Sequence, residues 1–140
     1  GWIDGRTRRV DDDRMKLLVS PRKPGSQWSA LNKRRVASLE KRRLITKAGW
    51  ARIDAAKQDG SWTFLDDVEA LIEPPDLKRA LDRRAKARQQ WDAFPGSARR
   101  LILHWIKTAK TEKTRDKRIA ETTRLAALGL KAAHPESRGR

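Results

Sequence analysis

Basic side chains have the clearest potential for chemistry in this sequence, and they are concentrated in the stretches 33–43, 78–88 and 107–124. Between Ala109 and Ile119 no residue larger than alanine is apolar, although a helical hydrophobic period exists on both sides. Such a segment is typical of a cationic binding face or of the solvent-exposed part of a long helix. It contributes five candidate binding residues: Lys110, Lys113, Thr114, Arg115 and Arg118.

The sequence lacks the residue patterns of known catalytic and metal-binding sites. There is no cysteine and there are only two histidines, so a thiolate metal site and a cysteine nucleophile are excluded. No nucleophile-elbow, zinc-protease, P-loop or dinucleotide motif occurs. The run Asp11–Asp13 predicts a solvated turn and not a calcium site. Ca²⁺ needs about 6–8 oxygen ligands, and these three adjacent carboxylates do not supply them. We expect no enzyme, no catalytic residue, no metal and no cofactor. An enzyme that uses Asp4 and the arginine-rich face is a minor alternative.

The charge balance limits the classes of partner. Lys and Arg number 34 against 18 Asp and Glu, which gives a formal net charge of +16. A surplus of this size repels cationic ligands and favours nucleic acid, anionic lipid headgroups or an acidic protein face. No apolar run approaches the roughly 20 residues of a transmembrane helix. Because the chain begins at Gly1, we expect a missing N-terminal part, which leaves a lost targeting signal open.

The hydrophobic pattern predicts a mainly α-helical single domain of about four to five helices, preceded by a short N-terminal β-hairpin. The β-compatible runs Arg6–Val10 and Met15–Ser20 flank the turn-forming residues Asp11–Asp13. From these patterns we divide the chain into a hairpin segment, a helical domain and a flexible basic tail, with the bounds 1–24, 25–130 and 131–140.

Capping residues and apolar periodicity predict where the helices lie. The expected N-caps are Ser26, Thr46, Asp76 and Ser97. Residues 76–94 and 97–128 each carry an apolar stripe and are predicted as one helix each, with Gly60 and Gly129 as C-terminal stops of the second and last helices. The segment 61–73 has no clear period, so an irregular segment and a short helix remain open.

The six tryptophans divide into two groups by their neighbours in the sequence. Each large aromatic side chain buries about 150–250 Å², enough for a few of them to hold a small helical domain together. Core positions are expected for Trp50, Trp91 and Trp105. Trp2, Trp28 and Trp62 lie beside predicted turns. For these three, half-exposed stacking on a ligand is the alternative to packing in the core.

Several motifs in combination resemble one bacterial protein family. They are Trp2–Arg6, Pro21–Ser29, Asn32, Arg35, Val36, Ala48–Gly49, Trp62 and the run Trp105–Ile119. From residue 2 to about residue 129 the chain resembles the YdeI / OmpD-associated (OmdA, bacteriocin-protection) family. Arg43 stands where that family is expected to have a glycine, and Lys47 where a proline is common. The turn between the first two helices is therefore expected to depart from the family.

The resemblance implies a cytoplasmic bacterial protein with an additional N-terminal portion, and it implies no catalytic residue. It also implies a role in resistance to bacteriocins or cationic antimicrobial peptides. Its motifs add seven candidate partner-binding residues: Trp2, Asp4, Arg6, Arg22, Trp28, Asn32 and Arg35. We expect the Trp2–Arg6 turn and the segment 21–32 to meet the Lys110–Arg118 face in one surface.

Charge favours an indirect mechanism of protection. Like charges across an interface reduce affinity, so a domain of charge +16 should not sequester a cationic peptide directly. We expect a non-catalytic interaction domain with an acidic protein partner or an anionic envelope component. The alternative is a nucleic-acid-binding protein with mainly phosphate contacts. A helix-turn-helix is disfavoured, because its second helix, 46–58, carries few basic residues.

Overall fold

Two strands and seven helices form within residues 1–133, the part of the chain that this computed structural model describes. Their bounds are β1 Trp2–Arg9, β2 Met15–Pro21, α1 Ala30–Lys41, α2 Lys47–Gln58, α3 Asp66–Glu69, α4 Pro75–Asp82, α5 Ala85–Ala93, α6 Gly96–Lys107 and α7 Glu112–Ala126. The mainly helical class and the hairpin are confirmed, but the expected number of four to five helices was too low. The chain divides into two compact units, Gly1–Asp66 and Asp67–Arg140. This boundary differs from the predicted division at residue 24.

The hairpin begins earlier than the sequence suggested, at Trp2. Its antiparallel strands pair Trp2 with Pro21 and Arg9 with Met15, with a register irregularity between Asp4 and Thr7. The turn is formed as predicted, since the Asp11 carboxylate accepts hydrogen bonds from the Asp13 amide at 3.2 Å and from Arg14 Nε at 2.7 Å. Nearly every hairpin residue is exposed, including the apolar side chains Met15, Leu17, Leu18 and Val19.

Helices α1 and α2 begin at hydroxyl caps. The Ser29 hydroxyl accepts from the Asn32 amide, so the first cap lies three residues after the predicted Ser26. Thr46 caps α2 by accepting from the Gly49 amide, which confirms that prediction. Gly60, at φ +78°, follows the end of α2 as expected. Lys47 is the first residue of α2, a position that proline favours.

Arg43 ends α1 in a left-handed conformation that normally belongs to glycine. Its φ is +54°, its amide donates to the Glu40 carbonyl at 2.8 Å, and the Leu44 amide donates to the Leu39 carbonyl at 2.9 Å. This is the Schellman pattern, in which the left-handed residue is usually glycine. The departure from the family noted at Arg43 therefore falls on a strained backbone position.

The core of the first unit is small and aromatic. Trp28, Ile53 and Ala56 are buried, and four partly buried side chains pack against them: Val36, Ile45, Trp50 and Trp62. The rings of Trp28 and Trp62 lie 5.0 Å apart between centroids. Trp50 thus packs as predicted, and Trp28 is buried instead of taking the half-exposed position that was its alternative.

The long helices predicted for the second unit are each interrupted. Arg84 adopts an extended conformation between α4 and α5 with no glycine or proline to mark the break. Between α6 and α7 the Thr111 hydroxyl caps a new helix by accepting from the Thr114 amide. The other two expected caps were also displaced, because α4 begins at Pro75 and α6 at Gly96, each after a proline. α3 is the short helix left open for the segment 61–73.

The second unit has the larger core. It contains six of the most completely buried large side chains in the described chain: Leu77, Leu81, Trp91, Ile102, Ile106 and Leu125. Gly129 stops the last helix as predicted, at φ +72°, with the Leu130 amide donating to the Leu125 carbonyl at 2.9 Å. Ala132 is then buried in the core. The predicted tail therefore cannot begin at residue 131, and its residues 134–140 lie outside the described part.

A carboxylate at the start of the second unit organises three donors. Glu73 accepts from the Arg88 guanidinium at 2.8 and 2.6 Å, one contact to each oxygen, and from Trp91 Nε1 at 2.8 Å. The hydrogen bonds from Arg88 hold the pKa of Glu73 below its usual range, against the opposing effect of its burial. Since the Trp91 ring is fully buried, this contact anchors the centre of the core.

We expect Glu73→Gln to lower the unfolding free energy at neutral pH by about 1–2 kcal/mol, because it removes the bidentate partner of the mostly buried Arg88 guanidinium, which keeps its contacts with the more exposed Asp82 and Asp92. A depressed carboxyl pKa contributes stability above the unfolded-state pKa, and this contribution is lost as the pH falls. Urea unfolding from about pH 6 to about pH 3 should therefore be less pH-dependent in the variant. The exposed Glu121→Gln is the control, and an equal loss in both variants would contradict the assignment.

We expect Arg43→Gly to raise the unfolding free energy by about 0.5–1 kcal/mol, since glycine adopts a positive φ without strain. Arg42→Gly is the matched control, because Arg42 has a φ of −88° and gains nothing from glycine. Urea unfolding should thus move the two midpoints in opposite directions. Destabilisation by both substitutions would show that the Arg43 backbone is not strained.

Candidate functional site

One face of α1 lines a cleft in the first unit. Asn32, Arg35, Val36 and Leu39 follow one another at helical steps of three, one and three, which places them on one side of the helix. This face carries polar side chains toward the start of α1 and apolar ones farther along. No α1 side chain is fully buried, so the helix turns an amphipathic face into an open depression.

The remaining walls come from the hairpin, the segment after it, the α1–α2 turn and α2. The α1–α2 turn and α2 supply mainly apolar residues: Leu44, Ile45, Thr46, Gly49 and Ile53. The hairpin and the segment that follows it supply Gly1, Trp2, Asp4, Val19, Arg22 and Trp28. The volume of this open cleft is about 450 Å³. That is within the range of about 300–1,000 Å³ typical of small-molecule sites.

Arg22 is the most unusual residue of the cleft. Only 6% of it is exposed, and its guanidinium carbon lies 3.9 Å from the centroid of the Trp28 ring. Its Nη1 donates to the Gln27 carbonyl at 2.9 Å, whereas the buried Nε has no hydrogen-bond partner among residues 1–133. Burial lowers the pKa of Arg22, although nearby Asp4 opposes this effect. No carboxylate of the described residues lies within ion-pair distance of Arg22.

Arg35 holds the second positive charge of the cleft. It lies 4.0 Å from the Asp4 carboxylate, and more than half of each side chain is exposed. An ion pair this long and exposed contributes little to stability. Arg35 is therefore available to another anion at small cost.

The cleft brings together six of the seven candidate residues of the first unit: Trp2, Asp4, Arg22, Trp28, Asn32 and Arg35. Arg6 is exposed and does not line it. Sequence reasoning missed the apolar side of the cleft. Leu39 could have been found from its helical spacing to Asn32 and Arg35, but nothing in the sequence marked Leu44 and Ile45 as neighbours of the hairpin.

The arginines at the start of α7 make contacts inside the second unit. Arg115 donates from Nε and Nη2 to the two carboxylate oxygens of Asp76, at 2.6 and 2.9 Å. This bidentate pair joins α7 to the first turn of α4, and the Arg115 hydrogen bonds lower the pKa of Asp76. Asp76, expected as a helix cap, serves instead as the acceptor for α7.

Arg118 and Thr114 close the turn between α6 and α7. The Arg118 guanidinium lies 5.0 Å from the Trp105 ring centroid and donates to the Trp105 carbonyl. The Thr114 hydroxyl accepts from the Thr111 hydroxyl at 2.9 Å. This run, part of the family resemblance, thus fixes a helix–turn–helix corner. Trp105 itself is partly buried against the core, as expected.

The lysines of the same stretch are positioned differently. Lys110, Lys113 and Lys117 are exposed and follow one another at steps of three and four. No ion pair is found for these three within the described chain. We call them the lysine row. The cations that remain directed to solvent here are lysines, because the two arginines are bound internally.

The candidate residues therefore belong to two units, seven to the first and five to the second. The single surface expected to join them stays a prediction. Within residues 1–133, no cluster of three or more ligand-type side chains could hold a metal ion. No helix of that part of the chain is long and apolar enough to cross a membrane.

We expect Asp76→Asn and Arg115→Gln to lower the unfolding free energy non-additively, with a coupling of about 1 kcal/mol after allowing for partial solvent exposure. Each change leaves the other partner without its bidentate contact. Lys113→Gln, two residues before Arg115, should change the free energy by less than about 0.5 kcal/mol. A double-mutant cycle in urea measures the coupling, and a value near zero would contradict the structural role of Arg115.

Comparison with known families gives two matches, and the boundary between the two compact units, at Asp66 and Asp67, falls between them. Residues 1–52 match a domain of unknown function (DUF8412), so the motifs of the first unit fall largely in a different match from the one expected. Residues 70–129 match the family described as bacteriocin-protection, YdeI or OmpD-associated. The comparisons with curated proteins and with solved structures gave no match. Over residues 70–129, the chain is therefore similar to the bacteriocin-protection, YdeI or OmpD-associated family.

Proposed function

We propose that this protein is a non-catalytic interaction module that supports tolerance of bacteriocins or cationic antimicrobial peptides by binding an anionic partner. The observation that carries the proposal is the separation of cations at the start of α7. Arg115 and Arg118 are bound internally, whereas the lysine row is exposed. The lysine row lies within residues 70–129, the segment that matches the bacteriocin-protection family.

Charge complementarity supports an anionic partner over direct capture of a toxin. The chain has 34 basic against 18 acidic residues, so even full internal pairing would leave a net charge of +16. A cationic peptide would meet like charge on approach, which lowers both its association rate and its affinity. An acidic protein or an anionic envelope component meets the opposite sign.

The pairing and the lowered pKa values of three carboxylates support a non-catalytic role. In the second unit, Asp67, Glu73 and Asp76 are each bound to a basic side chain, and each has a pKa below its usual range. General acid–base catalysis near neutral pH instead favours a carboxyl pKa that is raised toward 7. These three groups act as fixed acceptors within the fold.

The experiment is a salt series of binding measurements with the full chain. The probes are anionic vesicles, neutral vesicles, duplex DNA, structured RNA and a cationic antimicrobial peptide. The test variant carries Lys110→Gln, Lys113→Gln and Lys117→Gln. The control carries Lys78→Gln, Arg79→Gln and Lys86→Gln, three exposed residues of α4 and α5 with the same change of net charge.

We expect the anionic vesicles to bind at physiological salt, with the lysine-row variant at least about fivefold weaker than the control. Equal loss in both variants would mean that net charge, and not this face, determines binding. Tight binding of DNA or RNA would favour the nucleic-acid alternative if the logarithm of the binding constant fell steeply with the logarithm of the salt concentration. On duplex DNA the slope is about −0.9 for each phosphate contact, so several contacts give a slope several times larger. Tight binding of the cationic peptide would overturn the proposal.

A further inference from the structure

We infer that the cleft of the first unit is a binding site for a small amphipathic carboxylate, with its head on Arg22 and Arg35 and its apolar body against α1 and α2. The inference concerns the 1–52 match of unknown function and is independent of the lysine row. It is carried by a buried guanidinium without an anion, an apolar floor and a volume suited to one small molecule.

Arg22 requires an acceptor that the described chain does not supply. Burial of a guanidinium is costly unless it is paired and fully hydrogen-bonded. The carbonyls of Ser26 and Gln27 engage only Nη1, at 3.5 and 2.9 Å, and neither carries a full charge. Buried Nε has no partner, although most buried donors in proteins have one. A carboxylate fits the planar donor edge of a guanidinium better than any other common organic anion of single charge.

Trp28 supplies a second donor of the same kind. Its ring is 5% exposed and lines the cleft, and its Nε1 lacks a hydrogen-bond partner among the described residues. Buried tryptophan nitrogens usually find an acceptor. The Arg22 guanidinium and the Trp28 ring, stacked 3.9 Å apart, thus each hold a buried donor that has no partner among the described residues.

The far side of the cleft suits an apolar chain. Val36 and Leu39 of α1 face Ile53 of α2, and the turn between the helices adds Leu44 and Ile45. Leu39 and Leu44 remain exposed despite their apolar character. Covering them with hydrocarbon would remove apolar surface from water, which is favourable at about 25 cal/mol per Å².

The net charge of the side chains that line the cleft favours a ligand with a single negative charge. Arg22 and Arg35 contribute two guanidinium groups and Asp4 one carboxylate, so the lining side chains leave one net positive charge. A monoanion neutralises it, whereas a dianion would leave an uncompensated negative charge and be repelled more strongly by Asp4. Asp4 thus limits affinity, and its removal should strengthen binding.

A purely structural role for Arg22 makes a different set of predictions. In that case the stacking on Trp28 and the bond to Gln27 would serve only to hold the segment after β2. Arg22 variants would then lose stability, but Arg35 and Asp4 variants would leave ligand binding unchanged. The exposed Arg35 and Asp4 therefore provide the decisive tests.

The test uses the full chain and four probes of equal chain length: octanoate, octyl phosphate, octanol and octylamine. Isothermal titration calorimetry measures affinity, and the indole N–H signal of Trp28 in ¹H–¹⁵N spectra locates the bound molecule. We expect octanoate to bind at least about tenfold more tightly than octanol, with a shift of the Trp28 signal, and octylamine not to bind. Tighter binding of octyl phosphate than octanoate would overturn the carboxylate assignment.

The variants test each charge separately. Arg35→Gln should weaken octanoate about tenfold, and Asp4→Asn should strengthen it about threefold. Arg34→Gln, on the same helix with the same change of charge but outside the cleft, should have almost no effect. Equal effects of Arg34→Gln and Arg35→Gln, no gain from Asp4→Asn, or absence of octanoate binding at millimolar concentration would each overturn the inference.

Discussion

The structure depends on how a small number of carboxylates is distributed over a large surplus of cations. The carboxylates of the second unit are placed where one group can join separate elements. Asp76 connects the first turn of α4 to α7, Glu73 connects Arg88 to the buried Trp91, and Asp67 accepts from Lys107 at 2.6 Å. Bidentate and mostly buried contacts of this kind stabilise more than exposed ion pairs, which are largely screened by water and salt. The unpaired positive charge is left for the surface.

The elements that the sequence predicted well are those marked by local chemistry. Thr46 and Gly60 delimit α2, Gly129 ends the last helix, and the aspartate run forms the hairpin turn. Errors arose where the interruption has no marker of this kind. The break at Arg84 lies within an unbroken apolar period, and the cap at Thr111 lies in a stretch that was read for its charge. Periodicity shows which face is buried but not whether the helix continues, because two short helices can share one apolar stripe.

The candidate residues show the same division between local and tertiary information. The polar residues of the cleft were identified from their types and motifs, and α1 brings Asn32 and Arg35 to one face by spacing alone. The apolar floor could not be predicted, because the α1–α2 turn and the hairpin line the same cleft although they are distant in sequence. The roles of Arg115 and Arg118 also depend on tertiary contacts that the sequence does not show. Their acceptors, Asp76 and the Trp105 carbonyl, lie 39 and 13 residues away.

The hairpin has a consequence for the colloidal behaviour of the protein. Its two strands expose Met15, Leu17, Leu18 and Val19 together with unpaired backbone edges, a combination that promotes strand-to-strand association between molecules. The two strands carry four exposed cations, Arg6, Arg8, Arg9 and Lys16, against one carboxylate, Asp4, and the whole chain has a net charge of +16, so like charges oppose this association. That repulsion acts over a Debye length of about 10 Å at 0.1 M salt and only about 3 Å at 1 M. Concentrated salt therefore removes the barrier between hairpins, so the protein should stay dispersed in dilute buffer and self-associate as ionic strength rises.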